Sequence, residues 1–307
     1  MNLLVVGSVA LDSVKSPFGS VEEVVGGSAT YFSTSASYYT DLALVAVIGD
    51  DFPQAALDDL DQRGVDLEGL IRHPGKTFRW RGEYGFDLNE AHTLETHLNV
   101  FETFNPVLPE VYRKSEFVFL GNIDPELQLR VLDQIDSPRF VGADTMNFWI
   151  RGKREVLQKV LSRIDMLFVN DAEARELTGE SNIVKAAAAI RQMGPTRVAI
   201  KRGEYGALLF DGDTVFFAPA YPLEEVFDPT GAGDSFAGGF MGYVARRRSV
   251  ENAVLCQATV VGSVMASFCV ERFSLERVRT LNPEVIGRRF EQFQRLMHYD
   301  PLDPLET

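Results

Sequence analysis

Cysteine is nearly absent from this 307-residue chain: Cys256 and Cys269 lie in one apolar segment, and no Cys-x-x-Cys spacing occurs. That excludes a disulfide framework and a cysteine-based zinc site, and points to buried free thiols in a reducing compartment. Positive charge is scarce as well. With 30 Lys and Arg against 44 Asp and Glu the net charge is −14, which argues against nucleic acid or an anionic membrane as the main partner, because both need basic surface. An anionic ligand must therefore be held locally, by helix ends, a few cations and metal. Uninterrupted apolar runs are missing too. The longest stretch, 253–270, is broken by Gln257, Thr259, Ser263 and Ser267 and reads as a buried helix rather than a membrane span. Residues 1–7 carry neither the basic region nor the apolar length of a signal peptide, so a cytoplasmic protein is expected.

What is present concentrates in Asp228-Pro229-Thr230-Gly231-Ala232-Gly233-Asp234 and the small residues that follow. Pro229 ends an extended run, Gly231 and Gly233 let the backbone come close to a ligand, and a helix follows. Its free N–H groups make an anion site, and Asp234 stands at the same helix end, a carboxylate beside whatever anion the loop holds. A tight turn capped by Asp234 would account for the bare spacing equally well. Gly238, Gly239 and Gly242 each cost a helix about 1 kcal/mol relative to alanine, so something must pack very close to them.

Apolar runs that alternate with helix-like segments imply an α/β fold with a parallel sheet covered on both faces, built as one domain. Strands at 3–6, 42–47, 117–120, 140–141, 166–169 and 197–200 end at polar groups: Gly7-Ser8, Gly49-Asp50-Asp51, Gly121-Asn122, Asp144 to Asn147, Asn170 and Lys201. Strand ends line the ligand crevice of such a sheet. Asn170 and Glu173 have the spacing of a capping box. Pro74-Gly75-Lys76-Thr77 is no P-loop, because Leu70 stands where its first glycine is required. Two aromatic-rich extended runs, 78–81 and 94–101, carry Arg79 and Arg81 on one strand face, with His92 and His97 as surface strand residues. The acidic, Pro-containing tail 299–307 is expected to be irregular.

The stretch around Gly231-Ala232-Gly233-Asp234 resembles the second signature of the PfkB family of carbohydrate and nucleoside kinases, and Gly26-Gly27 with the following small residues resembles the first. The resemblance covers nearly the whole chain. It implies a ribokinase-like three-layer αβα domain with a mostly parallel central sheet and a small β-sheet lid from about 11–25 and 76–104, which in the family often forms a dimer contact. It also implies an ATP- and Mg2+-dependent kinase in which Asp234 is the base and the amides of Gly231, Ala232 and Gly233 form the anion hole. Asp12, Gly26, Gly27, Asn122 and Asn147 would hold the acceptor. Asn170 and Glu173 would order magnesium through water, while Lys201, Gly203 and Gly206 would edge the nucleotide and Asp228 and Thr230 would hold a monovalent cation, potassium. Many sugar-kinase members have an asparagine shortly after the paired glycines, where this chain has Thr30 and Tyr31. The expected acceptor is a sugar or sugar-like alcohol. The alternatives are a nucleoside stacked on aromatics such as Tyr31, Phe32, Trp80 and Phe101, a phosphosugar met by Arg79 and Arg81, and a silent ligand-binding relative.

Overall fold

The computed structural model describes residues 2–298, and the tail expected to be irregular lies outside them. Its strands in chain order are β1 (Leu3–Val6), β2 (Ala10–Ser16), β3 (Gly19–Gly26), β4 (Leu42–Ile48), β5 (Val65–Asp66), β6 (Leu70–Arg72), β7 (Phe78–Tyr84), β8 (Ala91–His97), β9 (Phe117–Leu120), β10 (Phe140–Asp144), β11 (Met166–Asn170), β12 (Arg197–Lys201), β13 (Ala207–Asp211) and β14 (Thr214–Ala218). The large sheet runs β14-β13-β12-β11-β10-β9-β1-β4-β5, with β6 also on β4. It is parallel from β12 to β5, and β13 and β14 close one end antiparallel.

Neighbouring residues of the central strands serve opposite cores, which is why these strands read as unbroken apolar runs. Leu3, Val5, Leu42 and Leu44 pack with Phe236, Phe240 and Leu255 on one face. Leu4, Val6, Ala43 and Val45 pack with Val131, Leu157 and Ile190 on the other. Because the chain leaves β1 toward β4 and returns to β9 on its other side, a crevice opens at the carboxyl ends of the strands near β1.

The helix Ala232–Arg247 runs between two others, Ser28–Ala36 and Asn252–Cys269. Its glycines permit this. A Cβ on Gly238 would lie 2.3 Å from the Phe32 carbonyl oxygen, and one on Gly242 would lie 3.0 Å from the Ala36 backbone. Gly239 faces Met265 in the same way at 2.8 Å. Helix Asn252–Cys269 is long and apolar enough to cross a membrane by composition, but 67% of it is buried inside this fold.

The small sheet is β3-β2-β7-β8. The extended run expected at 94–101 differs from what is observed. The strand spans Ala91–His97, and Asn99 to Thr103 form a 3-10 turn that tucks Val100 into the core below. Asn99 adopts φ +51, a left-handed conformation that asparagine tolerates better than most residues and that ends the strand.

Replacing Gly238 with alanine should force two helices apart. We expect a loss of roughly 1–3 kcal/mol despite alanine's better helix propensity, read as a lower Tm in thermal unfolding. An unchanged Tm would mean the helices can part freely.

Candidate active site

The loop Asp228–Gly231 enters helix Ala232–Arg247 at Gly231, whose φ of +75 is left-handed. A side chain here is excluded twice over: a Cβ would also fall 2.3 Å from the Tyr31 ring. That ring, 1% exposed, is the floor on which the loop rests. Among the described residues the amides of Gly231, Gly233 and Asp234 have no acceptor, as expected for a helix N-terminus. Ala232 corrects the expected set, because its amide is spent on the turn, donating to the Pro229 carbonyl at 3.1 Å. The amides left without an acceptor at this helix start are therefore those of Gly231, Gly233 and Asp234.

Asp234 lines the crevice beside these amides. Burial lifts its carboxyl to about 7, repulsion from Asp144 adds to the rise and Lys201 opposes it. Lys201 ends β12 alongside Asn170 of β11 and donates to Asp144 Oδ2 at 2.8 Å. Burial alone would lower the Lys201 ammonium, but Asp144, Glu173 and Asp234 outweigh it, so its pKa is raised. Its Nζ also touches the anion loop: a Cβ on Gly233 would lie 2.9 Å away. Asn170 and Glu173 form the complete capping box, Glu173 N donating to Asn170 Oδ1 at 2.7 Å and Asn170 N to Glu173 Oε2 at 2.8 Å. Burial, then Asp144, raises the Glu173 carboxyl.

Across the crevice, Asp12 belongs to β2, the small sheet. Its Oδ2 accepts the Gly27 amide at 3.3 Å, and Gly26 lies so close that a Cβ there would overlap the carboxylate. Gly27 has φ +92 and fits against the Ser8 carbonyl. Burial lifts the Asp12 carboxyl to about 7; the Gly27 amide pulls it back, and Asp228 and Asp234 push it further up.

The hairpin β7–β8 ties the small sheet to the body at two points. Thr230 Oγ1 and Tyr84 Oη are 3.2 Å apart, and Asn89 Oδ1 presses on Gly203, whose φ of +52 and bare Cα make room for it. A third tie is Arg79, which binds Glu23 at 2.6 Å and Asp51 at 2.8 Å. Arg81 reaches Glu95 at 4.0 Å. Lys76, Arg79, Trp80, Arg81, His97 and Ser13 line a groove of about 300 Å³ next to β2.

Other expected residues stand further from this centre. Asn122 Oδ1 accepts from Trp149 Nε1 at 3.0 Å, which orients the amide. Asn147 is exposed at the start of a short helix. Gly206, at φ +85, lets the Ala218 carbonyl approach. Asp228 is 1% exposed and accepts the amides of Thr230 at 2.9 Å and Ser274 at 3.1 Å, so it first of all braces the loop. Asp144, Tyr84 and Asn89 were not singled out from the sequence. Asp144 was read only as one of several polar strand ends, with no role of its own; the two lid residues carry no such signal.

The oxygen donors suit a hard cation. Among the described residues no three Asp, Glu, His or Cys side chains converge to cage a metal.

Residues 3–276 match the model of the pfkB family of carbohydrate kinases. The chain is similar to the cytidine kinase of Thermococcus kodakarensis, 33% identical over 83% of this chain and 92% of that one. It is also similar to a nucleoside kinase of Methanothermobacter thermautotrophicus, at 31% over 84% and 81%. Among solved structures, the Thermotoga maritima ribokinase superposes with a TM-score of 0.75 at 20% identity, covering 95% of this chain and 99% of that one. A family match across the fold and both glycine-containing loops settles the membership: this chain belongs to the pfkB family of carbohydrate kinases.

Proposed function

We propose that this chain transfers the γ-phosphoryl group of ATP to a hydroxyl of a nucleoside, with Asp234 as the base. The observation that carries the reaction is the placement of Asp234 among the unpaired amides of Gly231, Gly233 and its own backbone, opposite Asp12. The transition state of phosphoryl transfer is loose, so the base chiefly orients the acceptor and accepts its proton, while amides and cations stabilise the charge. Magnesium supplies charge neutralisation when bound, near Asn170 and Glu173. Asp12, Gly26 and Gly27 hold the acceptor, with Asn122 and Asn147 at the margin, and Lys201, Gly203 and Gly206 edge the nucleotide. Potassium at Asp228 and Thr230 belongs to the same reading. A dimer would use β8, an edge strand exposed along its length.

The nucleoside is favoured over the simple sugar by two relatives above 30% identity, a cytidine kinase and a nucleoside kinase. Tyr31 and Phe32, expected as stacking aromatics, are 1% and 0% exposed and belong to the core, so they do not offer a face to a base. Trp80, paired with Asp12 across β2 and β7, shares its face of the small sheet and offers an aromatic surface there. A simple sugar is the second reading, supported by the family's breadth. The phosphosugar reading loses its main cation, because Arg79 is neutralised by Glu23 and Asp51.

ADP release measured with ATP and magnesium across nucleosides, sugars, sugar acids and sugar phosphates should peak with a pyrimidine nucleoside. In Asp234→Asn we expect kcat at least about 100-fold lower, the usual worth of a positioned base. A response restricted to free sugars would reject the nucleoside, and turnover within tenfold of wild type in the variant would reject Asp234 as base.

Only ionised Asp234 accepts a proton, so kcat should rise with pH and level off above about 7. Stability should move the other way. An unfolded aspartate ionises near 3.8, whereas Asp12 and Asp234 in the fold ionise near 7, so between these values the folded chain binds more protons. Its stability must then fall as pH rises through that window. Asp12→Asn is expected to be more thermostable than wild type at pH 8 and to lose that advantage at pH 5. Equal Tm differences at both pH values would contradict the linkage.

A further inference from the structure

We propose that Lys201 is a catalytic residue of the phosphoryl-transfer step, and that Asp144 is the positioning residue that holds its ammonium at the anion loop until charge develops on the phosphate being cleaved. This rests on the phosphotransferase reading above and adds the timing of one contact and the role of an acid that reading leaves unused.

Three observations meet at one atom. Lys201 Nζ bonds to Asp144 at 2.8 Å, lies against Gly233 of the anion loop, and is in electrostatic reach of both Glu173 and Asp234. The ammonium thus stands between the residues that order magnesium and the base. Among the described residues its one hydrogen bond is to Asp144, which leaves two of its three N–H donors for a ligand. The pair is also poorly explained as a stabilising device. With side chains only 17% and 7% exposed, both ions lose most of their hydration, and a buried pair rarely recovers that cost from its own attraction. A buried cation facing a phosphate loop has a use the fold alone does not need.

The chemistry defines when that use arises. The acceptor oxygen bonds to the γ-phosphorus as the bond from that phosphorus to the β–γ bridging oxygen breaks. The electron pair of that bond leaves with ADP, and the hydroxyl proton passes to Asp234. Negative charge grows on the leaving oxygen during this step. Asp144 competes for the ammonium against the phosphates of bound ATP, so the lysine contributes little to ground-state binding. As the leaving charge grows, the balance shifts toward phosphate, and the interaction appears in the rate rather than in affinity.

The test compares wild type, Lys201→Met, Lys201→Arg, Asp144→Asn and the Lys201→Met/Asp144→Asn double variant. Each is measured for kcat, for the Kd of a non-hydrolysable ATP analogue and for thermal unfolding without ligand. Lys201→Met should lower kcat by about 100-fold while changing the analogue Kd less than about threefold. Lys201→Arg, which keeps the charge, should recover part of the rate, and it carries the test if Lys201→Met does not fold. Asp144→Asn should lower kcat by about tenfold in the native background and hardly at all in Lys201→Met, because it acts through the lysine. A folded Lys201→Met with near wild-type kcat overturns the proposal and leaves the kinase reading standing. Parallel losses of analogue affinity and kcat also overturn it, as does additivity in the double variant. No phosphoryl transfer by the wild type to any acceptor overturns both.

Discussion

Acids gathered around one ammonium are the constraint on which this site depends. Asp144, Glu173 and Asp234 surround Lys201, and Asp12 stands beyond them in electrostatic reach of Asp234. Removing carboxylates from water and crowding them together disfavours their ionised forms, which is why Asp12, Glu173 and Asp234 hold protons to higher pH than usual. A fold assembled only for stability would not collect them here. They make sense as a site that becomes electrostatically balanced when a divalent cation arrives with its nucleotide.

The large sheet makes the crowding possible. Parallel strands end side by side at one edge, so β10, β11 and β12 deliver Asp144, Asn170 and Lys201 as neighbours with no long loop required. The anion loop comes from the other direction, on a helix whose glycines let it sink between two more. Close packing fixes the helix axis, and the Tyr31 ring under Gly231 fixes the loop at its start. Position is set by backbone contacts that leave little slack, as the proposed role of Asp234 requires, since such a base has to be oriented more than it has to be strong.

Much of this architecture is legible in the sequence, and the reason is physical. Strands buried on both faces read as apolar runs that stop abruptly, so their crevice ends stand out, and glycines at helix starts mark close backbone approach. The glycine loop with Asp234 and the capping box of Asn170 and Glu173 were read this way, whereas Asp12, inside β2, was placed only by the family resemblance. Asp144 was not singled out because acids end several strands here, Asp50 and Asp51 among them, and only its contact with Lys201 distinguishes it. Ala232 was given a ligand role because the sequence does not say which amide a turn consumes. The second lid run was drawn too far along the chain, past His97, because a left-handed asparagine cannot be told from an extended one. Tyr84 and Asn89 owe their roles to where the hairpin folds across the body, which is a long-range outcome with no local mark.

Asp12 lies on β2, and β2 is part of the small sheet, joined to β1 by only three residues, 7–9. On the function proposed above, the group that would hold the acceptor is therefore mounted on the small sheet and the base on the helix against the large one. Any rotation between them changes the distance from acceptor hydroxyl to Asp234 directly, whereas a water molecule, too small to engage both, gains nothing from the bodies coming together. Discrimination against hydrolysis is then a question of hinge stiffness as much as of pocket shape, and substitutions in that three-residue joint would be felt as wasted ATP before they were felt as weaker binding.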